Sequence, residues 1–225
     1  MALNWSSPRS KFIIAVLASS LLSEALFAYR AIHDHSLYFD YLTLNLFLAW
    51  LPLVFAFRLI KVLRNKLWSS WEALTLSFLW LVFLPNSFYM ISDFIHIQDF
   101  GQSNLIFDTT MLTSFIYTGV ILGFSSLYLI HIELRKRFSG KVSAFWIGLT
   151  LFISSVAVYF GRDLRWSSWN VFTNPGGLLF DISNRVTHIF SYSTMVIDVV
   201  SFFILLLAIY NLLWQGSNML GSKEN

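Results

Sequence analysis

Residues 73–92, ALTLSFLWLVFLPNSFYMIS, carry no charge between Glu72 and Asp93. An α-helix rises about 1.5 Å per residue, so about 20 apolar residues cross the roughly 30 Å hydrocarbon core of a bilayer. The stretch has the length and composition of a transmembrane helix. It therefore predicts a membrane protein.

The rest of the chain has the same character. Of its 225 residues, 56% are hydrophobic and 12% are charged, and the mean hydropathy is +0.65. Soluble domains carry about 25% charged residues. We predict one transmembrane domain over residues 1–225, with no soluble appendage. The absence of cysteine excludes disulfides, thiolate catalysis and cysteine-ligated metals.

Apolar stretches separated by short charged loops predict an all-α, polytopic bundle of six transmembrane helices. The predicted spans are about 12–31, 40–60, 72–93, 109–132, 142–161 and 189–213. Segment 162–188 is predicted to lie at the outer interface, and its Asn174-Pro175-Gly176-Gly177 indicates a turn. A cleaved signal peptide is an alternative for the first span. Glu24 and the lack of a small-residue cleavage site favour an uncleaved helix.

Lysine and arginine alternate between the two sides of this topology. One side has 11 of the 15: Arg9, Lys11, Arg58, Lys61, Arg64, Lys66, Arg135, Lys136, Arg137, Lys141 and Lys223. The other has 4: Arg30, Arg162, Arg165 and Arg185. Cytoplasmic loops are enriched in these residues, so both termini are predicted to be cytoplasmic. The net charge of +3 is then a topology signal, and no nucleic-acid partner is expected.

Acidic residues and histidines gather on the predicted outer side. The acids are Asp34, Asp40, Asp93, Asp99, Asp108, Asp163 and Asp181, and the histidines are His33, His35, His96 and His188. A functional site is therefore expected to open outward.

Asn86, Tyr89, Asp93 and His96 are spaced by three, four and three residues, which places them in one polar stripe on a continuing helix. Pro85, directly before the stripe, predicts a bend. Asp93 and His96 are candidates for an acid–base pair. Alternatively, these two residues simply mark the point where the helix enters water. No metal site is assigned.

Arg162, Arg165, Trp166 and Trp169 share one face if the fifth span continues as a helix. Two arginines suit a phosphate or carboxylate, and tryptophan is common at headgroup depth. These residues are therefore candidate ligand-binding residues, together with Asn86 and Tyr89. The alternative is that they are interface anchors, with an arginine paired to Asp93 or Asp163.

Glu24 and Asp198 are ionisable residues inside predicted spans, where paired or functional roles are expected. An ion pair with Arg30, Arg162 or Arg165 would tie the first and sixth spans together, and a proton relay is the alternative. Gly119 and Gly123 form a close-packing face that suits either intramolecular packing or dimerisation.

Three stretches taken together resemble a known family. They are residues 45–52, residues 83–89 with Asp93 and His96, and residues 161–169. In this order they resemble a family of bacterial membrane proteins, domain of unknown function 1361. The resemblance implies a multi-pass protein of the bacterial cytoplasmic membrane and implies no activity.

The functional expectation is an outward-facing polar site that binds an anionic lipid or an envelope-precursor headgroup. In an enzymatic version Asp93 or His96 would be the acid or base, so the question of catalysis stays open. One alternative is a small transporter or channel subunit in which Glu24 and Asp198 line the path, and a homodimer is then expected. Another is an accessory or scaffold protein. Membrane lipid is the expected partner, and no cofactor is predicted.

Overall fold

The computed structural model describes residues 7–35, 37–99, 105–188 and 192–221, and these residues form helices joined by short connections. The helices are α1 (Pro8–Asp34), α2 (Asp40–Leu63), α3 (Trp71–Tyr89), a 3-10 helix (Met90–Asp99), α4 (Leu105–Arg135), α5 (Gly140–Asp163), α6 (Asn170–Thr173), α7 (Pro175–Thr187) and α8 (Ser193–Gly221). In this part of the chain six helices are long and apolar enough to cross a membrane. The prediction of an all-α bundle with six transmembrane helices is confirmed.

Serine residues begin three of the long helices. The hydroxyls of Ser7, Ser70 and Ser139 accept hydrogen bonds from backbone amides three residues later, which satisfies donors that the first helical turn leaves free. The starts of α1, α3 and α5 lie at the lysine- and arginine-rich end of the bundle, here called the basic end. The opposite end, which carries the aspartates, is called the acidic end. Which end faces the cytoplasm stays a prediction.

Helix α4 lies at the centre of the bundle and packs against α1, α2, α3 and α5. The outermost helices are α1 and α8, and α8 packs mainly on α5. Gly119 and Gly123 of α4 face the end of α3, where a Cβ at Gly123 would lie 2.7 Å from the Ser87 Cβ. The small-residue face therefore serves packing within the chain.

The connection from α5 to α8 contains two short helices. Asn174 caps α7, because its side-chain oxygen accepts the Gly177 amide at 3.1 Å. Pro175 follows at the first helical position. The backbone amide hydrogen that proline lacks would have no partner within the helix at this position. The predicted turn at residues 174–177 is thus the start of a helix. The part of the sixth predicted span at 189–191 lies outside the described residues.

Candidate functional site at the acidic end

Arg162, in the last turn of α5, is the centre of a polar cluster. Its Nε and Nη2 donate to the Ser92 hydroxyl at 3.0 and 2.7 Å, and Nη2 also donates to the Asp93 carboxylate. Its Nη1 lies 3.3 Å from Nε2 of His96. The guanidinium carbon lies 4.4 Å from the centre of the Tyr89 ring, a cation–π distance. Arg162 thus contacts three of the four residues of the predicted stripe, namely Tyr89, Asp93 and His96.

The carboxylate that balances this arginine is closed to solvent. Asp93 is fully buried, and Asn45 of α2 donates to its second oxygen at 3.3 Å. The pair therefore joins α2, the 3-10 helix and α5. Removing one member of such a buried pair costs about 3–5 kcal/mol, since the remaining charge is left uncompensated.

The 3-10 helix explains why one arginine reaches four side chains. With about 3.0 residues per turn, positions three apart lie directly above one another. Tyr89 and Ser92 therefore form one row, and Asp93 and His96 form the next. Arg162 lies across both rows. The Ser92 hydroxyl also donates to the Tyr89 carbonyl at 2.6 Å, at the start of the tighter winding.

Asn86 belongs to a neighbouring set of contacts. Its amide donates to the Ser168 hydroxyl at 2.8 Å and to the Phe83 carbonyl at 2.9 Å. Ser168 in turn donates to the Val82 carbonyl at 3.2 Å. These contacts attach the segment after α5 to the helix around Pro85. Asn86 therefore positions that segment, and it does not contact Arg162.

Arg165 has a different environment from Arg162. It is exposed, and it makes no hydrogen bond or ion pair with any residue that the structure describes. Its φ of 57° is left-handed. The Trp166 amide donates back to the Phe160 carbonyl at 3.3 Å, so the chain folds back on the last turn of α5, and the left-handed position just past a helix end is usually glycine.

Two tryptophans follow this arginine in the chain. Trp166 donates from Nε1 to Asp181 of α7 at 2.8 Å. Trp169 is 53% exposed, and the edge of its ring meets Phe83 with the ring centres 5.4 Å apart. Trp166 therefore has a polar partner and Trp169 an apolar contact, while the Arg165 side chain is exposed.

The other two arginines at the acidic end are paired. Arg30 of α1 makes a bidentate contact with the buried Asp108 of α4 and also contacts Asp34. Arg185 of α7 lies 2.9 Å from the Asp163 carboxylate and donates to the Tyr159 hydroxyl at 2.7 Å. Neither pair was predicted, because the sequence leaves open which loops lie side by side.

Glu24 and Asp198 do not form the predicted ion pair between the first and sixth spans. Glu24 accepts a hydrogen bond from Thr43 at 2.8 Å, and Asp198 is exposed on α8. Arg30 and Arg162, which were expected to balance them, bind Asp108 and Asp93 instead. Because α1 and α8 are the outermost helices, the two acids do not share a packed interface.

The cluster is suited to holding helices together. Asp93 already accepts from Arg162 and Asn45 and has no exposed surface, so it cannot reach a substrate in this conformation. His96 is half-buried against Arg162 and the Tyr41 ring. Among the described residues, no three His, Cys, Asp or Glu side chains are placed to hold a metal ion.

Sequence reasoning did not identify three of the contacting residues as site candidates: Ser92, Ser168 and Asn45. Ser92 directly precedes Asp93 and would point about 100° away from it on an α-helix, so α-helical spacing gave no reason to include it. Ser168 was quoted only as part of the family resemblance. Asn45 was also part of that resemblance, and the three resembling stretches do meet, through Asn45–Asp93, Asp93–Arg162 and Asn86–Ser168.

A protein-family profile described as "Protein of unknown function (DUF1361)" matches residues 44–209. The match covers more than half of the chain and contains all three stretches. Searches of curated proteins and of solved structures found no match.

Proposed function

The chain belongs to the DUF1361 family of proteins of unknown function, and we propose that this multi-pass membrane protein binds a phosphate headgroup through Arg165 at its acidic end. The proposed ligand is an anionic phospholipid or a lipid-linked envelope precursor, both of which present phosphate at interface depth. The proposed location is the bacterial cytoplasmic membrane, with the acidic end outward. The uneven distribution of lysine and arginine supports this orientation.

The observation that carries the proposal is the backbone of Arg165. A left-handed conformation costs a non-glycine residue about 1–2 kcal/mol, and strained positions of this kind gather at ligand sites. Glycine would end α5 without that cost. Arg165 is exposed and has no partner among the residues that the structure describes, so its donors are available to an anion.

The surroundings of Arg165 support the same ligand. Arg162, three residues earlier, is held by Asp93, Ser92 and His96, so its donors are already in use and Arg165 is the arginine of this segment that an anion can reach. Trp166 and Trp169 are of the residue type that settles at headgroup depth. Arginine matches phosphate oxygens with two parallel hydrogen bonds, and the quaternary ammonium of phosphatidylcholine offsets the phosphate charge, so an anionic headgroup is favoured over a zwitterionic one.

The test uses purified, delipidated protein in detergent and calorimetric titration with dihexanoyl phosphatidic acid. Short acyl chains keep the measurement on the headgroup. We expect Arg165→Gly to weaken binding by about 10- to 100-fold, because a charge-assisted hydrogen bond contributes about 1.5–3 kcal/mol. Dihexanoyl phosphatidylcholine should bind weakly to both proteins, and farnesyl monophosphate separates a preference for prenyl-linked phosphate from one for phospholipid.

Arg137→Gln is the matched control, since Arg137 is also exposed but lies at the basic end. It removes the same charge and should leave the affinity for dihexanoyl phosphatidic acid unchanged. Equal affinity in Arg165→Gly and the wild type would overturn the proposal.

A further inference from the structure

A cavity of about 760 Å³ opens near the basic end, between α1, α2, α4 and α8. Its volume falls within the roughly 300–1,000 Å³ of ordinary ligand pockets. On α2 its lining runs from Phe57 to Arg64, and on α4 from Ile121 to Leu129. The cavity therefore follows the helices inward for about two turns, a depth of roughly 10–12 Å. It lies far along the helices from Arg162 and Arg165.

The charge of the cavity has one sign. Arg9, Lys61 and Arg64 line it, and no acidic residue does. Within the described part of the chain, none of these three cations forms an ion pair with a carboxylate. Arg9 lies over the Phe57 ring, 3.9 Å from its centre. The cation of α1 is thus held against α2 at the cavity.

The inner part of the cavity is aromatic and firmly held. Phe124, Tyr128 and Tyr210 contribute to its wall. The Tyr210 hydroxyl is 2.7 Å from Nδ1 of the buried His131, whose ring stacks on Trp214 at 4.0 Å. An apolar chain in the cavity lies against this aromatic wall, while an anion at the mouth meets the three cations.

We infer that this cavity binds one anionic diacyl phospholipid from the leaflet at the basic end. The phosphate contacts Arg64, Lys61 and Arg9, and one acyl chain lies against Phe124 and Tyr210. Two features lead to this occupant: the unpaired cations match an anionic headgroup, and the apolar depth behind them matches a hydrocarbon chain. Basic pockets between membrane helices are suited to acidic lipids. The inference is independent of the proposed site at Arg165.

The experiment is native mass spectrometry of the delipidated full chain, titrated with dioleoyl phosphatidylglycerol or dioleoyl phosphatidylcholine. The wild type is expected to retain one phosphatidylglycerol with about tenfold preference over phosphatidylcholine. Arg64→Gln should lower the affinity for phosphatidylglycerol about tenfold, because one charge-assisted contact to the phosphate is lost.

Arg58→Gln is the matched control. Arg58 lies on the same helix and at the same end, but it does not line this cavity. It removes one charge from the same end of the bundle, so any effect on insertion is equal in the two variants. Retained phosphatidylglycerol in Arg58→Gln and reduced phosphatidylglycerol in Arg64→Gln support the inference. An equal loss in both variants would overturn it, since that result indicates a general attraction of acidic lipid to the basic end.

A second variant tests the acyl chain. Ser125 lines the cavity on α4, and Ser125→Trp fills space there without changing the charge. It should reduce retention of dioleoyl phosphatidylglycerol about tenfold. Unchanged retention contradicts an acyl chain inside the cavity. Arg165→Gly must leave this binding intact, so failure of the site at the acidic end and failure of this cavity are separate results.

Discussion

The paired arginines of the acidic end and the cavity cations of the basic end are used in opposite ways. At the acidic end Arg30, Arg162 and Arg185 each bind a carboxylate on another helix. At the basic end the cavity cations Arg9, Lys61 and Arg64 have no such partner among the described residues. The same residue type therefore fastens helices together at one end and stays available to a ligand or to the membrane surface at the other. Arg165 is the exception at the acidic end.

The largest expected effect is that of breaking the buried pair at the acidic end. Arg162→Gln leaves the fully buried Asp93 without its balancing charge, so the free energy of unfolding should fall by about 3–5 kcal/mol. Denaturation in mixed detergent micelles measures this change. Asp93→Asn in the Arg162→Gln background should recover part of the loss. A loss below about 1 kcal/mol would remove the distinction between the two ends.

A smaller effect is expected for the more exposed pair. The Asp163 side chain is 49% exposed, and a solvent-accessible ion pair contributes about 1 kcal/mol or less. Arg185→Gln should therefore lower the free energy of unfolding by about 1 kcal/mol in the same denaturation assay. A loss as large as that of Arg162→Gln would show that burial of the carboxylate is not what sets the difference.

The smallest effect belongs to the basic end. Arg64→Gln removes no ion pair, and surface substitutions of this kind change stability by about 0.5 kcal/mol or less. Its unfolding curve without added lipid should therefore overlay that of the wild type. A clear destabilisation would mean that this cation also fastens helices, and the contrast between the two ends would fail.

The sequence was sufficient for the spans and for most members of the Arg162 cluster. Uncharged stretches between charged loops predict six helices, because a membrane span has one required length. Asp93 and Arg162 were both identified, with their pairing as one alternative. The sequence left the 3-10 winding undetermined, and with it the contact of Ser92 with Arg162. The 3-10 helix packs on α4 and α2, and tertiary contacts of this kind are not encoded in the local sequence pattern.

Two other misses have the same origin. Asp198 was expected to be paired because ionisable residues in a span are costly, yet it lies on the exposed face of the outermost helix α8. The cavity at the basic end was not predicted, because Arg9, Lys61 and Arg64 read equally well as topology signals. Only the arrangement of α1, α2 and α4 brings them to one opening.

The most direct test of the account is the unfolding temperature of Arg165→Gly, measured in detergent with and without dihexanoyl phosphatidic acid. Glycine adopts the left-handed backbone conformation without the cost of about 1 kcal/mol that arginine pays there. Without lipid this variant should therefore unfold at the wild-type temperature or slightly above it. With Ser125→Trp in both proteins to fill the cavity at the basic end, dihexanoyl phosphatidic acid should raise the unfolding temperature of the protein that keeps Arg165 and leave that of Arg165→Gly unchanged. If the lipid stabilises both proteins equally, Arg165 is not the contact for the phosphate, and the account of the acidic end is wrong.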